Sequence, residues 1–428
     1  MHLPVLTEMQ NHPLDHASNL SPAGALGHLR VLDLSRVLAG PWCSQNLADM
    51  GAEVIKVERP RTGDDTRRWG PPWIKNADGT DAHDSTYFAA ANRNKKSITV
   101  DISTQEGQDL IRKLAAKSDV VIENYKVGDL KRYGLDYATL AAINPRLVYC
   151  SITGYGQDGP DAGKPGYDIV FQAIGGLMSV TGERDDLAGG GPQKAGIPIA
   201  DVITGMYATI AVLSALQYRT VSNRGQYIDM ALLDCIVALG GNQVTGFFAS
   251  GKTPHRYGNA HASLVPYQVF TVKDGEIVVA VGNDTQWKQY CKAIERPDLA
   301  ADPRWDKVTG RITGRDELIP ELARTMLERG ALEWIRHLDA HGVPCGRIND
   351  YRQVFEDAQV KHRSLRVDVP REDGAMASTI ASPLRLRDTP PAYRRAPPSL
   401  GDRTDDVLSG LLGCHADEIA LYRGRGII

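Results

Sequence analysis

Between residues 29 and 153 short apolar runs alternate with amphipathic segments, and no other feature restricts the possible folds as strongly. LRVLDLS, AEVIKVE, SITVDIS, DVVIEN and LVYCSIT read as strands. PWCSQNLADMG, opened by Pro41 and closed by Gly51, reads as a helix between the first two. After SITVDIS, Ser103 and Glu106 stand at capping-box spacing, and Leu110, Ile111 and Leu114 fall on one face of the helix they would open. Repeated strand-helix-strand units predict a parallel sheet wrapped by helices on both faces, an α/β doubly wound arrangement.

The texture changes further on. SNRGQ is a turn, QYIDMAL a strand, and a helix runs from there to about Gly240. YQVFTVKDGEIVVAVGN predicts an antiparallel hairpin turned at Lys273, Asp274 and Gly275, and ELIPELARTMLERG a later helix. The expected division is a flexible arm over 1–24 and a large domain over 25–225. A smaller α+β domain over 226–345 and a C-terminal return to the large domain over 346–428 complete it. The chain of 428 residues has ample length for this. A formal net charge of -3 gives no global electrostatic reason to expect nucleic acid or a membrane surface as partner. Six cysteines without a C-x-x-C pair signal neither a disulfide framework nor a zinc site. The N-terminal stretch has no long apolar run, and the apolar stretch around MYATIAVLSAL falls short of the roughly 20 residues that span a bilayer. A cytoplasmic protein is expected, or one of the mitochondrial matrix if the source is eukaryotic.

Two motif matches fail on context. GYGQDG (154–159) comes after a strand, but Pro160 and Pro165 stand where a dinucleotide site needs a helix N-terminus. GFFASGKT (246–253) matches a phosphate-binding loop by letter, yet the residues before it read as helix, and Pro254 interrupts the helix that such a loop must lead into. Neither NAD nor ATP is implied, and no metal.

Other residues point to a ligand. Arg59, Arg61, Arg67 and Arg68 come after the second strand, and NRNKKS and ENYKVGDLKRYG place more cations near other strand ends, where doubly wound folds bind ligands. Each alone reads as a solvated surface charge; together they suggest a phosphate-bearing ligand such as coenzyme A or NADP. In GIPIADVITGMYATIAVLSALQYRT, Asp201 heads a run apolar on nearly every side, which predicts a buried helix starting at the aspartate. Its carboxylate is either an N-cap or a reactive group held ionised by the helix dipole, and local sequence favours the cap.

SRVLAGPWCSQNLADMGAEVIKVERPRTGDDTRRWGPP, NRNKKSITVDI, ENYKVGDLKRYGL, YCSITGYGQDGP, KPGYD, GIPIADVITGMYA and GNAHASLVPYQVF resemble, in order, the signature blocks of the family III CoA-transferases. The resemblance runs from about residue 27 to the C-terminus. GDDTRRWGPP, YCSITGYGQ and SLVPYQ resemble most the branch that transfers CoA between succinyl-CoA and glutarate. It implies a Rossmann-like large domain, an interlocked homodimer, coenzyme A as acyl-CoA, and a catalytic aspartate matched at Asp201. The CoA contacts it implies are Leu38, Ala39, Arg59, Val100, Asp101, Ile102, Asn124, Tyr125, Lys126, Arg132, Lys164 and Tyr167. Leu38 stands where the formyl-CoA branch has Gln, which points away from formate and oxalate. The family's mobile glycine-rich loop corresponds to Gly258, Asn259, Ala260 and His261, with the amides of 258–260 as oxyanion donors.

The chemistry so implied is attack of Asp201 on a thioester, then an aspartyl-CoA thioester that an acceptor carboxylate reverses. An Asp with a reference pKa near ~3.9 is ionised at neutral pH and needs no general base. The alternative is a 2-methylacyl-CoA racemase of the same fold, in which a His takes the place of Tyr167; His261 keeps it open. Arg67, Arg68, Arg93, Arg256 and His261 are candidates to hold a second substrate carboxylate.

Overall fold

The computed structural model describes residues 24–428, so the expected N-terminal arm lies outside the described residues except for Gly24. The chain divides into two compact units. The first takes residues up to Ser151, Ala208–Ile228 and Val367–Ile428; the second takes Ile152–Tyr207 and Asp229–Arg366.

The first unit is organised by a six-stranded sheet. Its strands are β1 (Arg30–Asp33), β2 (Glu53–Glu58), β5 (Lys95–Thr99), β6 (Val120–Glu123), β7 (Val148–Thr153) and β8 (Tyr227–Ala231). Trp73–Lys75 (β3) and Asp81–Ser85 (β4) form a separate antiparallel hairpin. The sheet order is β5-β2-β1-β6-β7-β8, and the pairs from β5 through β7 are parallel. Leu32 of β1 lies opposite Ile55 of β2 and Val121 of β6, all fully buried, which is why these strands read as apolar runs instead of alternating ones. The chain first adds strands on one side of β1 and then crosses to the other with β6. The crevice at the carboxyl ends of β1 and β6 is therefore the switch point at which such sheets bind ligands. Leu110, Ile111 and Leu114 join this core as expected, and so do Ile427 and Ile428 at the end of the chain.

Several boundaries move. The first helix is Ala39–Asp49, with Pro41 inside its first turn, where an amide has no helical partner to lose. The helix after β5 is Gln105–Ala116 and is capped by Thr104, whose hydroxyl accepts from the Gly107 amide, not by Ser103 with Glu106. Ser103 instead donates to the Asp101 carboxylate, which draws it out of the cap. The long apolar helix spans Ile199–Ser222, beginning two residues before Asp201. Its 24 residues are, by length and composition, long and apolar enough to cross a membrane, contrary to the shorter run expected; Thr204 does not break it because its hydroxyl donates to Ala200 O one turn back.

The second unit contains β9 (Tyr267–Val272) and β10 (Gly275–Ala280), the antiparallel hairpin expected, extended by β11 (Cys345–Arg347). Its core packs Trp287, Trp334, Leu318 and Leu322 against Ile277 and Val279. Gly154–Gly166 stays a loop, and the residues after Gly251 form no helix, so neither nucleotide motif has the context it would need.

Candidate active site

Three strand ends of the first unit are tied together at the switch point. After β1 the chain passes through Val37 at φ 69°, a left-handed conformation that a β-branched residue adopts only under strain. The Asn124 amide group after β6 holds this loop from both sides: Arg36 N–H donates to its Oδ1 at 2.8 Å, and its Nδ2 donates to Arg36 O at 2.7 Å. The Val37 amide points to the Asp64 carboxylate, 3.3 Å from each oxygen. Leu38 and Ala39, both buried, thus enter the helix with their backbone placed by Asn124 and Asp64. The Arg36 guanidinium lies 5.6 Å from the Tyr125 ring centroid. Burial pushes the Tyr125 phenol up while Arg36 and Arg59 pull it back, so Arg59, exposed after β2, belongs to the same group. Lys126 and Arg132 are exposed beyond it, the latter 3.5 Å from Asp129. Val100 and Asp101 complete the β5 end through the amide bonds Val100 N–H to Glu58 O and Asp101 N–H to Ile427 O, and Ile102 packs against the core. The structure thus gathers the β1, β2 and β6 residues expected to contact CoA, with the β5 segment bonded to β2.

A buried ionic network supports these loops. Lys56 Nζ donates to Ser35 O and Asp64 Oδ2, both at 2.9 Å; Lys95 Nζ donates to Asp33 Oδ2 at 3.1 Å, Pro41 O at 3.0 Å and Asn92 Oδ1 at 2.8 Å. Burial alone would raise the Asp64 carboxyl, but Lys56 and the Thr66 amide hold it down at about 2. Lys95 is lowered to about 8, chiefly by burial, with Asp33 opposing the shift. Here the reading of NRNKKS as ligand-facing cations is corrected. Lys95 is buried in the network, and Arg93 is buried on Asp49 with 2.5 Å between Nη2 and Oδ2. Arg67 is likewise taken up, forked onto Glu58 and stacked 3.7 Å from the Phe88 centroid. Arg256 donates to Asp185 and to the carbonyls of Glu183 and Ser179. Of the five candidates, Arg68 is the exposed one.

Asp201 lies in the second unit. It occupies the third position of its helix, half-buried, so it is not the N-cap. The cap comes from Asp168, the first residue of the Asp168–Ile174 helix: its Oδ1 accepts from the Ala200 amide at 2.7 Å and the Asp201 amide at 3.3 Å. Loss of solvation and, second, the charge of Asp168 push the Asp201 carboxyl up to about 7. The carboxyl is thus less readily ionised than the ordinary aspartate expected, and the Ala200 and Asp201 amides, which serve Asp168, do not offset this. Tyr167, next to Asp168, is two-thirds exposed, and Lys164 is exposed beside Asp161 at 2.6 Å. Asp168 went unread although it sits in the quoted KPGYD block; a polar residue beside a block's key residue was the available signal.

The Gly258–His261 loop is tied internally. The Ala260 amide donates to Tyr257 O and the His261 amide to Tyr267 O, so Ala260 does not offer a free oxyanion donor as expected. Arg315 bonds the carbonyls of His261 and Ala262, and a cavity of about 360 Å³ opens beside Asn259, Ala260 and Arg315. His261 Nδ1 accepts from the Ser263 amide at 2.9 Å, which gives the imidazole a loop-closing role.

A parallel sheet with this strand order, bearing polar loops at its switch point, defines a Rossmann-like ligand-binding α/β protein. The match of residues 26–404 to the CoA-transferase family III model is specific: the chain belongs to that family and is an enzyme of that class. It is 44% identical over 386 residues to a succinate–glutarate CoA-transferase of Agrobacterium fabrum, covering 90% of this chain and 95% of that protein. To the human succinyl-CoA:glutarate CoA-transferase it is 40% identical over 416 residues, covering 97% and 92%. The crystal structure of a CAIB/BAIF family protein from Brucella suis superposes with a TM-score of 0.80 at 43% identity, covering 91% of this chain and all of that one.

Proposed function

We propose that this CoA-transferase moves CoA from succinyl-CoA to a dicarboxylate such as glutarate through an aspartyl-CoA thioester at Asp201. The substrate pair rests on the relatives, which are named for it at 40% and 44% identity. The nucleophile rests on one observation above all. Asp201 is a half-buried carboxylate to which, among the described residues, no donor hydrogen-bonds, placed on a backbone clamped from outside its helix.

The ionised Asp201 adds to the thioester carbonyl, the C–S bond breaks, and CoA leaves as thiolate from a mixed anhydride. The thiolate attacks the aspartyl carbonyl and releases succinate. The acceptor carboxylate then attacks the aspartyl thioester, and the returning thiolate takes the acceptor's acyl group and frees Asp201. One acyl bond is exchanged for another, so no external energy source enters the balance. The strand ends carrying Leu38, Ala39, Arg59, Asn124, Tyr125 and Lys126 would hold the nucleotide portion of CoA.

The working form is a homodimer, interlocked as the family resemblance implies. Met206, Tyr207, Ile210, Tyr218 and Val221 of the Ile199–Ser222 helix are exposed in the single chain, an apolar face that a second copy would cover. Six free thiols fit a reducing compartment, the cytoplasm or a mitochondrial matrix.

The test is to incubate the enzyme with succinyl-CoA, quench with hydroxylamine or borohydride, and map the modified peptide by mass spectrometry. The adduct is expected at Asp201. Asp201→Ala should lose activity by on the order of 10³-fold or more. Parental exchange by that variant would refute the mechanism, and a panel of acceptor acids measured by acyl-CoA release would identify the second substrate.

A further inference from the structure

The Ile199–Ser222 helix comes after Pro198, whose side chain carries no acceptor, so its first free amides have no local cap. Asp168 supplies one from 33 residues upstream. Its second oxygen accepts from Gln172 Nε2 at 2.5 Å, and Gln172 Oε1 accepts from the Ala195 amide at 2.8 Å, so the same pair also fixes the approach to the helix. Gln172 is fully buried. A carboxylate in a first turn is ordinarily stabilised by the amides there. For Asp201 those donors are occupied.

We infer that Asp168 is a positioning residue for the nucleophile: it locks the backbone beneath Asp201, takes the amides that would otherwise stabilise its charge, and sets a like charge beside it. The inference rests on the reading of Asp201 as nucleophile. Of the charged groups described on the neighbouring segments, Asp168 faces Asp201 from the Asp168–Ile174 helix and Lys194 in the preceding loop donates to Ala195 O at 3.1 Å, while Arg219 in the last turn of the same helix is about 27 Å away. Among these, Asp168 is the one whose field reaches Asp201, in the direction that disfavours ionisation. A carboxylate so placed is more basic, hence a stronger nucleophile once ionised, and the clamp keeps its trajectory.

Asp168→Asn keeps an acceptor for the two amides and removes the charge. The acid limb of kcat/KM should move down by about one pH unit. At about pH 8, kcat should fall about tenfold with KM for the acyl-CoA unchanged. If the Asn variant does not fold, Asp168→Ser offers the amides a neutral cap and the same readout. A purely structural role would lower the rate without moving the limb; that outcome, or an unchanged profile, overturns the inference while the trapped adduct at Asp201 still stands. Absence of the adduct in the parental enzyme would instead overturn the nucleophile assignment.

Discussion

Replacing Asp201 by Asn separates two effects of one carboxyl. Because its folded pKa is raised from 3.8 to about 7, the folded chain binds more protons than the unfolded one across that window, and stability falls as pH rises through it. Asp201→Asn should therefore abolish exchange and yet unfold later, by about 1–2 kcal/mol at about pH 8, with the gain vanishing below about pH 4. Thermal melts at the two pH values check the sign. Lys95 gives the opposite kind of residue effect. It is fully buried against Asp33, and Lys95→Met takes away the cation bonded to that carboxylate, leaving Lys56 and the Ser35 and Ser44 hydroxyls to hold its charge, a loss of about 3–5 kcal/mol readable in the urea midpoint. Local sequence read them as a helix cap and a ligand-facing cation, and the family resemblance, not the local pattern, marked Asp201 as the nucleophile. Their environments come from partners 33 and 62 residues away, and no local pattern encodes those.

At the scale of elements, the apolar runs located the strands, most clearly β6 and β7, which are buried on both faces and therefore apolar for most of their length. β5 is Lys95–Thr99 and not the run SITVDIS, because Lys95 is buried as an ion pair, which an apolar pattern does not register. Helix starts were less legible. A capping side chain competes with other hydrogen bonds, as Ser103 shows by bonding Asp101, and a cap from another element leaves no mark at the helix itself. The turn before β8 offers a test. A Cβ on Gly225 would stand 1.9 Å from Leu147 O, while its amide donates to Pro145 O and Gln226 O accepts from the Tyr149 amide. Gly225→Ala is expected to push β8 off β7 and cost about 2–4 kcal/mol, measured by chemical denaturation.

For the whole molecule, the end of the chain is part of the first unit's core: Ile427 and Ile428 are buried, and Ile427 O accepts from the Asp101 amide at 2.7 Å. Deleting both should cost about 2–4 kcal/mol and, because Asp101 lies at an expected CoA-contact strand end, raise KM for the acyl-CoA. A melt together with initial rates checks both. By itself the sequence determined the α/β class, the strands of the parallel sheet, the hairpin near the middle of the chain and the family, because hydrophobic period, turn chemistry and long ordered blocks are local properties of the chain. Only the tertiary structure decided which cations are buried struts and which stay exposed, and that Asp201 loses its amides to Asp168. Charge burial and hydrogen-bond competition depend on which distant residues are brought within about 3 Å, and that is settled only when the elements pack.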